Sequence, residues 1–237
     1  MQQCYAWLLA GSALLAGSAH AIAVRPLDVT IRGINNAPVR IYEVASQDAA
    51  LDAAIETDSD PFGAVCWPAA VVAARTLAQR DSLAGLRVLE LGAGTGLASA
   101  AAARLGADVV ATDVSDLSLN LLRRAAVDAP FDVRRLDFTD PEAVAALGDF
   151  DIIVAADTLY EVAIAAATAR VVHAARGACI VVDPGRPEGR RVFLDELAQL
   201  DGGPVGRFEP AAVSSDELSS FQLGAGLTIE SLGVFER

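Results

Sequence analysis

The 237-residue chain contains no lysine, and all 18 of its basic residues are arginine. No side-chain lysine is therefore present for Schiff-base chemistry, or for the protein to modify on itself. Acidic residues outnumber basic ones, and the formal net charge is −13. A surface this acidic repels phosphate backbones and attracts cations, so we expect no nucleic-acid partner and favour a lysine-bearing protein. Solubility alone is the alternative explanation of the acidity.

Cysteine and histidine are scarce, and the chain holds only Cys4, Cys66, Cys179, His20 and His173. The number of cysteines is odd, they lie far apart, and no CxxC occurs, which predicts reduced thiols, two of them in the core. With two histidines so placed, we expect no metal site. The helical pattern "ARVVHAAR" predicts that His173 is packed in the fold.

A long uninterrupted hydrophobic run is also lacking. The apolar segment 1–21, "MQQCYAWLLAGSALLAGSAHA", is broken by Gly and Ser and is short for a membrane span, so we expect no membrane anchor. It ends in Ala19-His20-Ala21, which resembles a signal-peptide cleavage site, but no Arg or Lys precedes the run. Three interpretations stay open: a weak export or organelle leader, an extension from a misplaced start, and a surface helix.

Residues 22–61 predict a small N-terminal hairpin followed by an acidic loop. The stretch 27–45, "LDVTIRGINNAPVRIYEVA", alternates like two strands joined by an Asn-containing turn. Residues 62–237 form the main domain. It opens with "AVCWPAAVVAARTLAQR", a helix pattern with Pro68 in its first turn, where proline is tolerated.

From Arg87 onward, continuous apolar strands alternate with helices. The strands are "RVLELGA", "DVVATD", "VRRLDF", "FDIIVAAD" and "ACIVVD", and two more follow near the C-terminus without a clear helix between them. Uniformly apolar strands indicate a parallel sheet covered on both faces. We therefore predict an α/β, doubly wound, mostly parallel seven-stranded sheet with an antiparallel edge.

A glycine-rich turn follows the first strand of this domain. In "VLELGAGTGLA", Gly92, Gly94 and Gly96 lie between a strand and a helix, where glycine permits a sharp turn and close approach of a ligand. Leu97 stands where the dinucleotide template G-x-G-x-x-G requires its last glycine, and no Lys-Ser/Thr follows, so a P-loop is excluded. A tight strand-to-helix link without a ligand is the alternative.

Four acids end successive strands of the predicted sheet: Glu90, Asp113, Asp137 and Asp157. Ligands of open α/β sheets bind at the carboxyl edge, where these acids would meet. Asp113 is placed to accept ribose hydroxyls. A row of acids suits a cationic, hydroxyl-rich ligand better than a polyphosphate, and S-adenosyl-L-methionine has that chemistry.

The stretch "AADTLYE" ends an apolar strand on Asp157 and places a phenol three residues later, at Tyr160. Asp157 can hold an amine by a charge-assisted hydrogen bond, and Tyr160 can orient the same nitrogen. A helix N-cap is the alternative role for Asp157, and a half-buried helix residue is the alternative for Tyr160.

From about Val39 to the C-terminus, the chain resembles the class I seven-stranded methyltransferases that use S-adenosylmethionine. "VLELGAGTGL" resembles their first signature motif. "DTLY" and "CWPAAVVAARTL" resemble the D-x-x-Y motif and the Trp-containing helix of methyltransferase family 16, the protein-lysine methyltransferases. "VVDPGR" resembles the branch that includes the electron-transfer-flavoprotein β-subunit lysine methyltransferase. Thr158-Leu159 replaces the Pro-Pro-aromatic motif of DNA and glutamine methylation, which argues against a flipped base as substrate.

The resemblance implies a set of cofactor contacts. The methionine part would lie on Gly92, Ala93 and Gly94, the ribose on Asp113, the adenine beside Asp137 and Phe138, and the reactive end beside Trp67 and Ala156. Relatives often carry Trp where this chain has Phe138, so the ring that packs on adenine is smaller here.

The resemblance also implies that Asp157 and Tyr160 face the substrate. The function predicted is methylation of a lysine side chain in a protein substrate. The alternatives are a small-molecule N-methyltransferase and a cofactor-binding protein without transfer activity. Because the cofactor is made inside cells, we expect an intracellular, cytoplasmic enzyme, or one that segment 1–21 directs to an organelle.

Overall fold

A computed structural model of the chain describes residues 22–34, 37–49, 51–52, 62–213 and 232–237. Segment 1–21, the Asn-containing turn at residues 35–36 and most of the acidic loop lie outside the described residues. The predictions made for those segments therefore stay predictions.

The described residues form strands and helices that alternate from Arg87 to Asp201. The strands are β1 (Val24–Val29), β2 (Val39–Val44), β3 (Arg87–Leu91), β4 (Asp108–Asp113), β5 (Asp132–Arg135), β6 (Ile152–Ala156), β7 (Ala178–Asp183), β8 (Glu209–Pro210) and β9 (Gly233–Glu236). The helices are α1 (Pro68–Ala78), α2 (Leu97–Arg104), α3 (Asp116–Asp128), α4 (Pro141–Ala145), α5 (Val162–Ala174) and α6 (Pro187–Asp201).

Seven strands form one sheet in the order β5-β4-β3-β6-β7-β9-β8. The first five in that order pair in parallel, whereas β9 pairs antiparallel with both β7 and β8. The predicted doubly wound sheet with an antiparallel edge is thus confirmed. From β3 the chain runs outward to β4 and β5 on one side, and it then returns to β6 on the other side of β3. Such a reversal of strand order opens a crevice at the carboxyl ends of the strands.

Each central strand buries side chains on both faces of the sheet. In β6, Ile153 and Ala155 belong to the core under α5 and α6, whereas Ile152 and Val154 belong to the core under α1 and α2. Side chains of a strand alternate between faces, so a strand covered on both sides is apolar throughout. This burial explains the continuous apolar run that precedes Asp157.

The N-terminal hairpin is a separate two-stranded sheet, with Val24 of β1 opposite Val44 of β2. Its buried face, which includes Val29 and Ile41, packs against residues of α1 and α2. The buried carboxylate of Glu43 accepts a hydrogen bond of 3.2 Å from the backbone N–H of Cys66. The hairpin therefore fixes the segment that leads into α1.

Two local predictions are wrong. Strand β5 ends at Arg135, so Asp137 lies in the loop that follows it and not on the strand end. His173 is exposed on α5, where its Nδ1 lies 2.7 Å from Asp201 Oδ1, because it falls on the face of the helix turned away from the sheet.

The cysteine prediction is confirmed for the two cysteines in the described part of the chain. Cys66 and Cys179 are free and buried, and burial raises the pKa of both thiols, that of Cys179 to about 11. Among the described residues, no helix has the length and apolarity needed to cross a bilayer, and no cluster of His, Cys, Asp or Glu is suited to a metal ion.

Candidate active site

A cleft of about 500 Å³ opens at the carboxyl ends of β3, β4 and β6. Eleven of the twelve residues predicted from the sequence line it: Trp67, Glu90, Gly92, Ala93, Gly94, Asp113, Asp137, Phe138, Ala156, Asp157 and Tyr160. Gly96 is not among the lining residues. The edge of the sheet on which the four acids were predicted to meet is therefore the edge at which the cleft lies.

The glycine-rich turn has left-handed backbone at each of its three glycines. The φ angles are 57° at Gly92, 55° at Gly94 and 79° at Gly96, which L residues with a side chain rarely adopt. Gly96 precedes the first residue of α2, and a Cβ there would lie 2.5 Å from Leu122 Cδ2. Gly96 thus serves packing beneath the turn, while Gly92 and Gly94 face the cleft.

Glu90 connects β3 to the first turn of α2. Its Oε2 accepts a 2.8 Å hydrogen bond from the Ser99 backbone N–H and another from the Ser99 hydroxyl. This carboxylate satisfies a helix N–H that Gly96, having no side chain, cannot cap. Burial raises the pKa of Glu90 to about 7, which the two hydrogen bonds from Ser99 only partly oppose.

Asp113 ends β4 and holds the turn with both carboxylate oxygens. Its Oδ2 accepts from the Gly94 N–H at 2.9 Å, and its Oδ1 accepts from the Ser115 N–H at 2.8 Å. Each carboxylate oxygen can accept more than one hydrogen bond, so these contacts leave Asp113 able to accept a hydrogen bond from a ligand in the cleft. Asp113 thereby links the glycine turn of β3 to the loop that follows β4.

The loop after β5 brings Asp137 and Phe138 to the cleft wall. Asp137 Oδ1 accepts from the Thr139 N–H at 2.9 Å and from the Thr139 hydroxyl at 2.6 Å, so this acid stabilises its own turn. Phe138 is half-buried, and its Cε1 lies 3.7 Å from where a Cβ on Gly92 would stand. A flat apolar ring therefore faces the glycine turn across a narrow gap.

Three further aromatic side chains line the cleft: Phe62, Trp67 and Tyr160. Trp67 precedes α1, and its indole N–H donates to the Phe62 carbonyl at 2.7 Å. The Phe62 ring lies 6.3 Å from the Tyr160 ring, centroid to centroid, and both rings are largely exposed. Phe62 carried no sequence signal, because its contact with Tyr160 joins residues almost a hundred positions apart in the chain.

Asp157 lines the cleft and has an unusual backbone conformation. Its φ is 64°, and it alone among the described non-glycine residues has a positive φ. Its N–H donates to the Val182 carbonyl at 2.8 Å. The following helix begins only at Val162, so Asp157 is not its N-cap and Tyr160 is not helical; both of those alternative interpretations are wrong.

The carboxylate of Asp157 is paired with the guanidinium of Arg186. The pKa of Asp157 is raised overall, because burial raises it by more than the charge and the hydrogen bond of Arg186 lower it. Among the described residues that line the cleft, Arg186 is the one cation. Arg186 was not among the site residues predicted from the sequence, although it ends the "VVDPGR" segment.

Comparisons with known proteins agree with this geometry. Residues 46–199, more than half of the chain, match the family model described as lysine methyltransferase. This chain belongs to the lysine methyltransferase family. That membership confirms the resemblance to family 16; the finer placement in the electron-transfer-flavoprotein branch stays a prediction.

Relatives with assigned functions match parts of the chain. It is 36% identical over 118 residues to the protein-lysine methyltransferase METTL21E of Bos taurus, a match that covers 45% of this chain and 41% of that protein. It is 34% identical over 146 residues to the protein N-lysine methyltransferase METTL21A of Danio rerio, covering 57% and 67%. The chain thus spans less than half the length of METTL21E.

A solved structure shares the fold. The 16S rRNA N2 G1207 methyltransferase of T. thermophilus, in complex with AdoMet and guanosine, superposes with a TM-score of 0.59 at 20% identity. The superposition covers 93% of this chain and 52% of that one. At this identity, the likeness supports the Rossmann-like methyltransferase fold and gives no information about the substrate.

Proposed function

We propose that this protein transfers a methyl group from S-adenosyl-L-methionine to the side-chain nitrogen of a lysine in a protein substrate. The observation that carries the proposal is a largely buried carboxylate, that of Asp157, in a cleft lined by a glycine-rich turn and by exposed aromatic rings. Family membership and the lysine methyltransferases it resembles support the same assignment.

The residues present fit the cofactor. A Cβ on Gly92 would stand 3.3 Å from Thr158 Cγ2 and 3.7 Å from Phe138 Cε1, so the glycine keeps open a gap that a side chain would fill. The lining is acidic, and its one cation among the described residues is already paired, which disfavours a polyphosphate. Asp113 is placed for ribose hydroxyls and Phe138 for an adenine ring.

The cofactor supplies, when bound, a methyl group activated by a neighbouring sulfonium. The chain's contribution is to hold the acceptor nitrogen in line with it, since positioning alone can supply much of the rate. Asp157 accepts a hydrogen bond from the incoming nitrogen, and Tyr160, Phe62 and Trp67 enclose the aliphatic stem of a lysine. No histidine lines the cleft among the described residues. We propose that the nitrogen loses its proton to water.

An extract assay tests the proposal. The protein is incubated with S-adenosylmethionine tritiated in its methyl group and a cell extract depleted of this enzyme, and the products are separated into protein and small molecules. Label that protein hydrolysis recovers as methyllysine supports the proposal. Label confined to small molecules identifies the runner-up, a small-molecule N-methyltransferase, and no label identifies a cofactor-binding protein without transfer activity.

An Asp157→Asn protein is the matched control in that assay. Asparagine has nearly the same shape as aspartate and is likewise tolerated in left-handed backbone, so the substitution tests the carboxylate and not the loop. Transfer that persists undiminished in this variant would remove Asp157 from the reaction.

We further propose an intracellular enzyme with a cationic protein partner and no nucleic-acid substrate. The acidic charge of the chain and the intracellular origin of the cofactor support this placement. Mass spectrometry of the N-terminus of the mature protein tests it, because removal of residues 1–21 would instead indicate a targeting leader.

A further inference from the structure

The carboxylate that is proposed to bind the acceptor nitrogen is already hydrogen-bonded to a guanidinium. Arg186 Nη1 donates a hydrogen bond to Asp157 Oδ1, and both residues line the cleft. The side chain of Asp157 is about 10% exposed and that of Arg186 about 37%, so the pair is partly shielded from solvent. A lysine ammonium and an arginine guanidinium can each donate an N–H hydrogen bond from a positively charged group to a carboxylate.

Asp183 offers Arg186 a second position. This carboxylate is fully buried at the end of β7, and its Oδ1 accepts from the backbone N–H groups of Gly185 and Arg186 and from Arg190 Nε at 2.7 Å. Its Oδ2 has no hydrogen-bond partner among the described residues and lies 3.6 Å from Arg186 Nη1. A buried acceptor without a hydrogen bond is costly, so a small rotation that moves the guanidinium from Asp157 to Asp183 gains a bond for the one lost.

We infer that Arg186 is an internal stand-in for the substrate's amine: it holds Asp157 until the lysine nitrogen displaces it, and Asp183 then receives its guanidinium. The inference rests on the proposed function, and it makes Arg186 the residue that sets which amines reach Asp157. A long side chain that enters with the binding energy of its surrounding protein displaces the guanidinium. A free small amine lacks that binding energy and does not.

The absence of lysine from this chain gives a direct test. Arg186→Lys places a primary amine next to Asp157 in a protein with no other lysine, so any methyllysine formed in the purified protein is at position 186. The reaction forms a bond from the side-chain nitrogen introduced at that position to the methyl carbon, breaks that carbon's bond to the cofactor sulfur, and releases one proton to water.

We expect Arg186→Lys to methylate itself, at a rate per molecule that does not change with protein concentration. Tritium in methyllysine and peptide mapping are the measurements. Arg190→Lys and Arg191→Lys are matched controls in α6, the helix that begins directly after Arg186. The first puts a lysine beside Asp183 and outside the cleft lining, and the second puts one on the exposed surface. Self-methylation of all three at one rate overturns the inference, and so does self-methylation of none together with failure of the second variant described next.

A second variant keeps the inference testable if the lysine introduced at position 186 is too short to reach. Arg186→Ala removes the stand-in, and at about pH 9 we expect it to methylate n-butylamine at least about tenfold faster than the wild type, a gain that loss of a merely structural contact would not produce. Calorimetry with S-adenosylmethionine checks whether each variant retains its cofactor site.

The outcomes separate this inference from the proposed function. If the wild type labels lysine in extract proteins, but the Arg186→Lys protein stays unmethylated and Arg186→Ala gains nothing with n-butylamine, then the function stands and the role of Arg186 is refuted. If the wild type labels no protein and neither variant forms a methylated amine, both fail.

Discussion

At the scale of the residue, Asp113 and Asp157 differ in what holds their carboxylates in the cleft. Asp113 is bonded through both oxygens to backbone N–H groups, so it belongs to the frame of the site. Asp157 is bonded to a side chain, which can leave. A carboxylate fixed by backbone suits a resident cofactor, whereas one whose partner can be exchanged suits a substrate.

Asp157→Asn should lower the rate of methyl transfer by about two orders of magnitude or more, because the amide loses the charge that aligns the acceptor nitrogen. Cofactor affinity should change by less than about threefold, since the backbone stays compatible with left-handed φ. Single-turnover rates and calorimetry measure the two quantities. Equal losses in both would contradict the substrate-side role.

Asp113→Ala should weaken binding of S-adenosylmethionine by roughly 1–3 kcal/mol, the scale of lost hydrogen bonds to a charged group. Because Asp113 also accepts from Gly94 and Ser115, the alanine protein should unfold at a lower temperature. Asp113→Asn is the control, since its amide oxygen can keep one backbone contact. Unchanged affinity in the alanine protein would refute the ribose assignment.

At the scale of the element, the side chain of Glu90 joins β3 to α2, and its burial disfavours its ionised form. Glu90 is 2% exposed and its pKa is raised to about 7 from an ordinary value of 4.5. The folded protein therefore binds this proton more tightly than the unfolded chain does. The stability contributed by the group is complete below about pH 4.5 and is lost as the pH rises through about 7.

Glu90→Gln should remove that pH dependence, because the amide does not ionise while its oxygen still accepts from Ser99. The free energy of unfolding of the wild type, minus that of the variant, should fall by about 3 kcal/mol between about pH 4.5 and about pH 8. Urea titrations at several pH values measure the difference. A difference that stays constant across this range would show that Glu90 is ionised at low cost.

At the scale of the whole molecule, the net charge of −13 acts on whatever approaches the cleft. A field of one sign raises the encounter rate of oppositely charged partners and is screened by salt. On the two proposals made above, the charge would attract a basic segment and the Arg186 position would admit the amine.

A peptide whose lysine is flanked by arginines should be methylated with a higher kcat/KM than one flanked by glutamates. Raising NaCl from about 50 mM to about 500 mM should remove most of the difference, because the Debye length falls to a few ångströms. Cofactor affinity measured at both salt concentrations is the control. Equal kcat/KM values at low salt would mean that the acidity serves solubility alone.

The order of strands and helices was readable from the sequence because apolar period and length are local properties. The run from Ile152 to Ala156 showed burial on both faces, and the glycines of the turn showed where the backbone needed left-handed angles. Parallel strands end at the same edge of a sheet, so the acids predicted at the strand ends indicated where the cleft lies. Asp137 was misplaced because strand ends are the least defined part of such a pattern.

The sequence by itself determined the class of fold and the edge that carries the cleft, since both depend on residues close together in the chain. Of the eleven predicted residues that line the cleft, Trp67, Ala93, Phe138 and Ala156 came from the family resemblance. Only the tertiary structure decided which side chains meet. Arg186 reaches Asp157 across 29 positions because β6 and β7 are neighbours in the sheet, and Phe62 reaches Tyr160 because the hairpin holds the segment before α1. Such contacts depend on the packing of strands and helices against one another, and no periodicity in the chain encodes them.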